Sequence, residues 1–387
     1  MLEQPAAGRM EHVPFSGIRE IFEECDRLEA QGKDIAHLEI GRPDFDTPEP
    51  IKQGALDALD RGDVHYTSNY GIQPLRDKIA TKLEQENGLA YDPTDEIVVT
   101  NGATEAVFVT LMGLVEAGDQ VLVPDPSWTY PAAIELAGAE TVPYDLNPET
   151  GFQPDIESLR AAVSSDTKLL IVNSPNNPTG GVLDESRAEE IRDFAVENDL
   201  LVLSDEIYEK ILYGDASHQS LAALEGMHER TVTVNGFSKA YSMTGWRLGY
   251  LAAPSDLIDP IIRARQYTST CASSISQHAG VRAVGSGLHE PMVEAFERRK
   301  TRVCERIEEI PGMSCPEPAG AFYAFPTLPS GYTDDREFVF SVLREAGVAL
   351  VPGSVFGDTG SGRLRIAYSN SVDRIDTAFD RIEDWMR

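Results

Sequence analysis

Residues 235–250 read N-G-F-S-K-A-Y-S-M-T-G-W-R-L-G-Y and contain one lysine and one arginine among small, polar and apolar neighbours. The stretch follows the apolar run T-V-T-V at 231–234, which predicts a short buried strand. Lys239 and Arg247 therefore come just after the end of a strand. Because ligands of open parallel sheets bind at the carboxyl ends of the strands, we expect these two cations to bind a ligand.

Three further apolar runs lie upstream, and each is followed by residues that can bind a ligand. Short apolar strands separated by amphipathic helices indicate an α/β fold with a mostly parallel sheet that helices cover on both faces. The loops after such strands meet at one edge of the sheet. The runs and the segments that follow them are 97–100 with Gly102-Ala103-Thr104, 169–172 with N-S-P-N-N-P-T-G at 173–180, and 200–203 with S-D-E-I-Y at 204–208.

The C-terminal part of the chain has a different pattern. A long charged helix over 288–309 precedes three short strands and two more helices, which predicts a second, smaller α/β domain. A helix over 17–31 and an extended piece come before the large domain. The predicted division is an N-terminal segment, 1–46, that packs with the small domain, a large domain, 47–285, and a small C-terminal domain, 286–387.

The charge balance excludes some classes of partner. The chain of 387 residues carries 64 acidic and 33 basic residues, a net charge of −31. Self-repulsion on this scale argues against nucleic acid or an anionic membrane surface as a partner. The acidic residues are spread through the whole sequence, a pattern that is typical of halophilic proteins, so we expect a salt-loving source.

Cysteine usage and hydropathy bear on the location of the protein. The four cysteines have no C-x-x-C spacing and no neighbouring histidine cluster, so we expect reduced thiols and no bound metal. The N-terminus has no basic region followed by an apolar run, and no apolar window is long enough to span a membrane. These features predict a soluble cytoplasmic protein.

Each candidate ligand-binding residue has a simpler structural explanation when it is taken alone. Gly102-Ala103-Thr104 suits an ordinary turn, Asp205 suits a helix N-cap, and Lys239 suits a solvated surface position. Their combination is more informative. A backbone nest for a phosphate, an aspartate for a protonated ring nitrogen and a lysine for a Schiff base are the parts that pyridoxal phosphate requires.

The order and spacing of these motifs resemble the class I and II aminotransferases among the fold-type I pyridoxal-phosphate enzymes. The resemblance runs from I-G-R-P-D-F at 40–45 to R-L-R-I-A-Y at 363–368, and it includes S-P-N-N-P-T-G, S-D-E-I-Y and S-K-x-x-x-M-T-G-W-R-L-G. The stretch 231–254 is most similar to archaeal aromatic aminotransferases. The resemblance implies a large domain in which a mostly parallel seven-stranded sheet lies between helices, plus a smaller α/β domain.

The resemblance also assigns roles around the cofactor ring. Lys239 would hold pyridoxal phosphate as an internal aldimine and later move the substrate proton, which requires an uncharged amine. Asp205 would pair with the ring nitrogen and keep it protonated. Tyr208 and Asn177 would hydrogen-bond the 3′-oxygen of the ring, and Trp128 would stack on its face.

For the cofactor phosphate, the resemblance implies an anion site made from two strand ends. Its groups are the backbone amides of Gly102 and Ala103, the hydroxyls of Thr104 and Ser238, and the guanidinium of Arg247. The planar fork of an arginine suits a dianion, because it can donate two parallel hydrogen bonds.

The remaining residues that the resemblance implies concern the partner subunit and the substrate. Tyr66, in H-Y-T-S-N-Y-G, would reach the phosphate of the neighbouring subunit, which implies a homodimer with shared active sites. Arg365 would clamp the substrate α-carboxylate, assisted by the backbone of Gly41 and by Asn177. Arg363 lies two residues earlier on the same strand face and is the position with which Arg365 could be confused.

The function that the resemblance implies is transfer of an amino group from an amino acid to 2-oxoglutarate by a ping-pong mechanism. Two positions depart from relatives that are specific for aspartate. Gly236 stands where many of them have a serine on the phosphate, and Thr104 stands where one bacterial branch has a lysine that reads the side-chain carboxylate. We therefore favour an aromatic or broad range of amino donors, with aspartate next.

Two other functions are compatible with parts of the pattern. A β-eliminating C–S lyase of the same fold would share every cofactor residue, so the motifs do not separate it from a transaminase. A cofactor-binding transcription regulator would carry a DNA-binding region before the domain. Only about 15 residues precede the first predicted helix here, and the net charge opposes DNA binding.

Overall fold

The computed structural model describes residues 6–11, 13 and 15–387. Within these ranges, none of the helices combines the length and the apolar character that crossing a membrane requires. The helices are α1 (Gly17–Glu29), α2 (Glu49–Arg61), α3 (Gln73–Lys82), α4 (Ala103–Leu114), α5 (Tyr130–Ala137), α6 (Ile156–Ala162), α7 (Glu185–Glu197), α8 (Ser255–Arg265), α9 (Ser274–Ala283), α10 (Glu290–Glu309), α11 (Asp335–Ser341) and α12 (Val372–Met386). The strands are β1 (Ala36–His37), β2 (Ile97–Thr100), β3 (Gln120–Asp125), β4 (Glu140–Asn147), β5 (Gln153–Pro154), β6 (Thr167–Asn173), β7 (Leu201–Asp205), β8 (Thr231–Gly236), β9 (Gly249–Ala252), β10 (Tyr323–Ala324), β11 (Val348–Ala349), β12 (Val351–Pro352) and β13 (Leu364–Ala367).

A single large sheet of eight strands forms the centre of the molecule, in the order β2-β9-β8-β7-β6-β3-β4-β5. Neighbours from β8 to β4 run parallel, whereas β9 runs antiparallel to both of its neighbours. This confirms the α/β class and the mostly parallel sheet. Seven strands match the predicted number, and β5 adds a two-residue eighth strand that pairs antiparallel with β4.

Helices cover both faces of this sheet, as the apolar strands require. Every residue of β2, β8 and β9 is buried. On one face, strand side chains such as Ile171 pack with helices α4 and α8. On the other face, neighbours such as Val172 pack with α6 and α7. Successive residues of a strand therefore pack into the hydrophobic cores on opposite faces of the sheet. This is why the strands appear in the sequence as continuous apolar runs.

The register of the central strands brings their carboxyl ends to the same level. Asn173 at the end of β6 pairs with Asp205 at the end of β7, and Asp205 pairs with Val234 of β8. Side chains that follow these strands consequently meet at one edge of the sheet. This edge is where the sequence predicts the ligand site.

Two smaller sheets involve the C-terminal part of the chain. One has the order β10-β13-β12, and the other joins β1 to β11 in parallel. The second sheet links the N-terminal part of the chain to the C-terminal part, with Ala36 opposite Val348. A shared core of residues from both parts, including Ile21 and Phe379, supports this contact.

Helices α3 and α11 are each extended by a wider helical turn. Helix α3 is followed by one π-helical turn over Leu83–Asn87, and α11 by another over Val342–Ala346. Each turn ends at a glycine with a positive φ, 69° at Gly88 and 70° at Gly347. Glycine adopts this left-handed conformation without a steric penalty, so it ends the helix at both sites.

Candidate active site

A cavity of about 310 Å³ lies at the carboxyl ends of β6, β7 and β8, beside the N-terminus of α4. It collects side chains from segments that are far apart in the sequence. The predicted site residues that line it are Gly41, Ala103, Thr104, Trp128, Asn177, Asp205, Tyr208, Ser238, Lys239 and Arg247.

Three predicted residues do not line the cavity, and each has a distinct position. Gly102 is the N-cap of α4, and a Cβ there would lie 2.6 Å from Nη2 of Arg247. Arg365 is buried next to the cavity, where its Nη1 donates a hydrogen bond to Oδ1 of Asn177 at 3.2 Å. Tyr66 is 89% exposed and lies away from the cavity of its own chain.

Lys239 follows β8 and directs its amine into the cavity. Its Nζ donates a hydrogen bond to the backbone oxygen of Gly41 at 2.6 Å. Burial and the nearby guanidinium groups of Arg365 and Arg247 lower the pKa of Lys239 from 10.5 to about 7, and the Asp205 carboxylate opposes this shift. A substantial fraction of the amine is therefore uncharged near neutral pH, as a nucleophilic amine requires.

We expect the amine of Lys239 in the cofactor-free protein to become reactive as the pH rises through about 7. Below that pH the ammonium form predominates and does not attack an acylating reagent, whereas above it the free amine does. The measurement is the labelling rate of each lysine peptide against pH, followed by mass spectrometry. Exposed Lys168 serves as the reference, and parallel labelling of both lysines would contradict the assignment.

Asp205 stands at the end of β7 and is only 7% exposed. Its Oδ2 accepts a hydrogen bond from the Tyr130 hydroxyl at 2.7 Å, and its Oδ1 accepts one from the Ile207 amide at 3.2 Å. Burial raises the pKa of Asp205 to about 6, although both hydrogen bonds lower it. A carboxylate that is destabilised by burial gains stability from a cationic partner such as a protonated ring nitrogen.

The part of the cavity beside the N-terminus of α4 suits an anion. Gly102, with φ of 83°, starts helix α4, whose first amides are free to donate. A Cβ on Gly249 would lie 2.6 Å from the Ala103 nitrogen, so the backbones approach closely here. Arg247 donates to the Thr244 carbonyl at 3.0 Å, and no carboxylate in the described ranges pairs with its exposed guanidinium. A phosphate dianion would fit this cradle.

Gly236, at the end of β8, has a packing reason for lacking a side chain. A Cβ there would lie 3.0 Å from Cδ1 of Ile207 and 3.1 Å from the Leu248 carbonyl oxygen. A serine in this position would require these neighbours to shift by a few tenths of an ångström. The close packing of β8 and β9 therefore suits a glycine here.

Tyr208 lies beneath the cavity in a network of aromatic side chains. Its hydroxyl shares a hydrogen bond with the hydroxyl of Tyr323 at 2.8 Å, and burial raises its pKa. The Arg365 guanidinium lies 4.9 Å from the centre of the Tyr323 ring and donates from Nη2 to the Glu39 backbone oxygen at 2.6 Å. These contacts fix the guanidinium while its Nε keeps no hydrogen-bond partner among the described residues.

Sequence reasoning missed three contributors to this arrangement. Tyr130, which holds Asp205, belongs to P-S-W-T-Y, a stretch that we used only for its tryptophan. Tyr323 and the Glu39 carbonyl, which hold Arg365, carry no motif of their own. The tertiary fold, and no sequence motif, brings them next to the site.

The residues present fit pyridoxal phosphate. An amine with a lowered pKa, a buried carboxylate and an anion cradle are found at one cavity, and these are the groups that a phosphorylated pyridine aldehyde needs. Trp128, which is 40% exposed, lies on the cavity wall where it could cover a ring. These are the residue types that the sequence predicts for this group.

Comparison with known proteins gives the same indication. A family model described as aminotransferase class I and II matches residues 33–382. The aspartate aminotransferase of Pyrococcus abyssi is 42% identical over 384 residues, 98% of this chain and 97% of that protein. Aromatic-amino-acid aminotransferase 2 of Thermococcus litoralis is 40% identical over 380 residues, 97% and 96% of the two chains. The solved structure of Thermus thermophilus aspartate aminotransferase with maleate has a TM-score of 0.93 at 35% identity, covering 98% of this chain and 99% of that one.

Proposed function

This chain belongs to the class I and II aminotransferases, pyridoxal-phosphate-dependent enzymes of fold type I, and we propose how its cavity performs amino-group transfer. One observation carries the proposal. Lys239 and Asp205 line the same cavity, and their pKa values are shifted toward each other, to about 7 and about 6. Groups whose charge states are adjusted in this way mark a catalytic site.

In the proposed mechanism, the bound cofactor supplies the electron-accepting ring, and the residues of this chain position the reactants and move the proton. The Lys239 amine would hold the cofactor covalently and, as a free amine, would accept the proton that leaves the substrate Cα. Asp205 would hold a proton on the ring nitrogen, and Tyr130 orients the Asp205 carboxylate through its 2.7 Å hydrogen bond. Trp128 would cover one face of the ring.

We assign the anion cradle to the cofactor phosphate and the buried arginine to the substrate. The positive charge of the cradle comes from Arg247, and its backbone amides and hydroxyls come from Gly102, Ala103, Thr104 and Ser238. Arg365 and the Gly41 backbone would orient the α-carboxylate so that the Cα–H bond faces Lys239.

Arg365→Ala should raise KM for every amino acid, because the fork of two hydrogen bonds to the α-carboxylate is common to all substrates. Hydrogen bonds to charged groups are worth roughly 1.5–3 kcal/mol, so the increase should be about tenfold to a hundredfold. The measurement is steady-state kinetics on a neutral, an aromatic and an acidic donor.

Arg363→Ala is the matched control for Arg365→Ala. Arg363 is two residues away, donates to the Phe325 carbonyl and does not line the cavity, so its loss should leave KM close to the native value. An Arg365→Ala effect confined to acidic donors would instead assign Arg365 to the substrate side chain.

For the substrates, we propose an aromatic or broad range of amino donors with 2-oxoglutarate as acceptor, and aspartate as the second choice. Relatives named for aspartate and for aromatic amino acids share about 40% identity with this chain. A panel of donors with 2-oxoglutarate at high KCl concentration would rank them. If no donor supports keto-acid-dependent transfer, and cystathionine gives pyruvate and a thiol, the chain is a lyase instead.

We propose further that the enzyme is a homodimer with shared sites, to which Tyr66 of one subunit contributes at the phosphate of the other. The exposure of Tyr66 and Tyr267, 89% and 87%, supports a covered surface in the assembled protein. Sedimentation at high salt should give twice the mass of 42.4 kDa for one chain. A monomer that is fully active would contradict the sharing of sites.

The remaining parts of the proposal concern organisation and environment. We divide the chain into the segment 1–46, the large domain 47–285 and the small domain 286–387, and the pairing of β1 with β11 supports the link between the first and last parts.

The four free thiols support a cytoplasmic location. The excess of acidic over basic residues, 64 against 33, supports a halophilic source, which activity that rises with KCl would test.

A further inference from the structure

The cavity is lined by one cation to which the cofactor and the α-carboxylate assign no role. Arg42 directly follows Gly41 and lines the same cavity as Lys239 and Arg247. Its side chain is exposed, and the described ranges contain neither a hydrogen bond nor an ion pair to its guanidinium. Asp44, two residues further along, is already engaged, because it accepts hydrogen bonds from Arg299 at 2.6 and 2.9 Å.

Arg42 differs from most arginines in the described ranges, because it pairs with no carboxylate. Acidic residues outnumber basic ones 64 to 33, so most guanidinium groups find a carboxylate. Arg306, for example, pairs with Asp376, Asp380 and Glu383. Arg42 lines the cavity, is exposed, and has a guanidinium that no described residue engages, so its donors are available to a ligand.

We propose that Arg42 binds the second carboxylate of dicarboxylic substrates, the class that contains glutamate, aspartate and 2-oxoglutarate. The inference rests on the proposed function and names the group that determines part of its specificity. A dicarboxylate carries two anionic ends, and Arg365 accounts for only one of them. Position 104, which also lines the cavity, offers the hydroxyl of Thr104 and no charge.

The exposure of Arg42 would let one cavity take both acidic and neutral side chains. A buried cation without a partner would strongly disfavour an aromatic substrate, because desolvated charge is costly. An exposed arginine is solvated whenever the substrate has no second carboxylate. It therefore adds affinity for dicarboxylates without excluding aromatic or aliphatic donors.

The test compares holoenzyme variants Arg42→Ala and Arg42→Lys with the native protein. Calorimetry gives the dissociation constants of maleate, a dicarboxylate, and of 3-phenylpropionate, an aromatic monocarboxylate. Steady-state kinetics give kcat/KM for glutamate and for phenylalanine. Arg42→Ala should weaken maleate binding and lower kcat/KM for glutamate by about tenfold or more, since a charged hydrogen bond is lost. Values for 3-phenylpropionate and phenylalanine should stay within about twofold, and Arg42→Lys should lie between Arg42→Ala and the native protein.

Arg298→Ala is the matched control, because Arg298 is also exposed and unpaired in the described ranges but does not line the cavity. It should change none of the four values.

Equal losses for the dicarboxylate and the aromatic ligand in Arg42→Ala, or no loss for either, would overturn the inference while leaving the transaminase assignment intact. A native protein that transfers no amino group to any keto acid would instead overturn the proposed function. Should Arg42→Ala not fold, Arg42→Gln gives the same comparison.

Discussion

Replacing Lys239 by alanine is expected to abolish amino-group transfer. The residue would supply both the covalent attachment of the cofactor and the proton-transfer group, and no other lysine lines the cavity in the described ranges. Removing a group that acts as nucleophile and as acid–base catalyst costs on the order of 10⁴–10⁶ in rate. Single-turnover kinetics with an amino donor and the cofactor-loaded protein measure the effect.

Two further variants separate chemistry from folding. Lys239→Arg keeps the positive charge but cannot be deprotonated, so it should be as inactive as the alanine variant. Lys168→Ala removes an exposed lysine from strand β6 and should retain native activity. Activity of Lys239→Ala above about a tenth of the native value would show that another group performs the proton transfer.

The second-largest effect is expected for Asp205→Asn. Asparagine has nearly the same shape but no negative charge, so it cannot stabilise a proton on the ring nitrogen. If the loss is comparable to breaking a buried ion pair, about 3–5 kcal/mol, kcat should fall by roughly 10²–10³-fold or more. The cofactor should still be bound covalently through Lys239, which the visible absorbance of the protein reports.

Tyr130→Phe is the matched control for Asp205→Asn, because it removes the 2.7 Å hydrogen bond to the carboxylate and leaves the charge in place. The loss should be much smaller, about tenfold or less. Equal losses for Asp205→Asn and Tyr130→Phe would mean that the orientation of the carboxylate, and not its charge, is what the reaction requires.

The pKa of Asp205 also predicts how cofactor affinity depends on pH. Burial raises this pKa to about 6 in the protein without cofactor, so the carboxyl group is neutral below that pH and charged above it. Only the charged form attracts a protonated ring nitrogen. Affinity of the cofactor-free protein for pyridoxal phosphate should therefore fall as the pH drops below about 6, and Asp205→Asn should remove this component of the pH dependence.

Much of the fold could be predicted because the strands of a parallel sheet are buried on both sides. Such strands stand out as apolar runs, and β2 has the bounds that its sequence indicates, Ile97–Thr100. Strand β5 could not be predicted, since two residues show no periodicity and a proline occupies one of them. The π turns after α3 and α11 could not be predicted either, because the sequence pattern of a wide turn does not differ from that of the preceding helix.

Those residues of the candidate site that directly follow a strand could be predicted from the sequence. Lys239, Asp205 and Asn177 each follow an apolar run, so the topology of a parallel sheet already places them together. The contact between Tyr130 and Asp205 depends on how helix α5 starts, which the sequence does not reveal. The place of Arg42 on the cavity wall depends on the path of an extended segment that has no periodic pattern.

The central claim is that Lys239 holds the cofactor in a cavity that it shares with Asp205. Reduction of the holoenzyme with borohydride, followed by peptide mapping with mass spectrometry, tests this most directly. The account predicts a stable phosphopyridoxyl group on the peptide that contains Lys239, and none on that peptide in Lys239→Ala. A stable adduct on a different lysine of the native protein, or the absence of any adduct in protein saturated with pyridoxal phosphate, would contradict it.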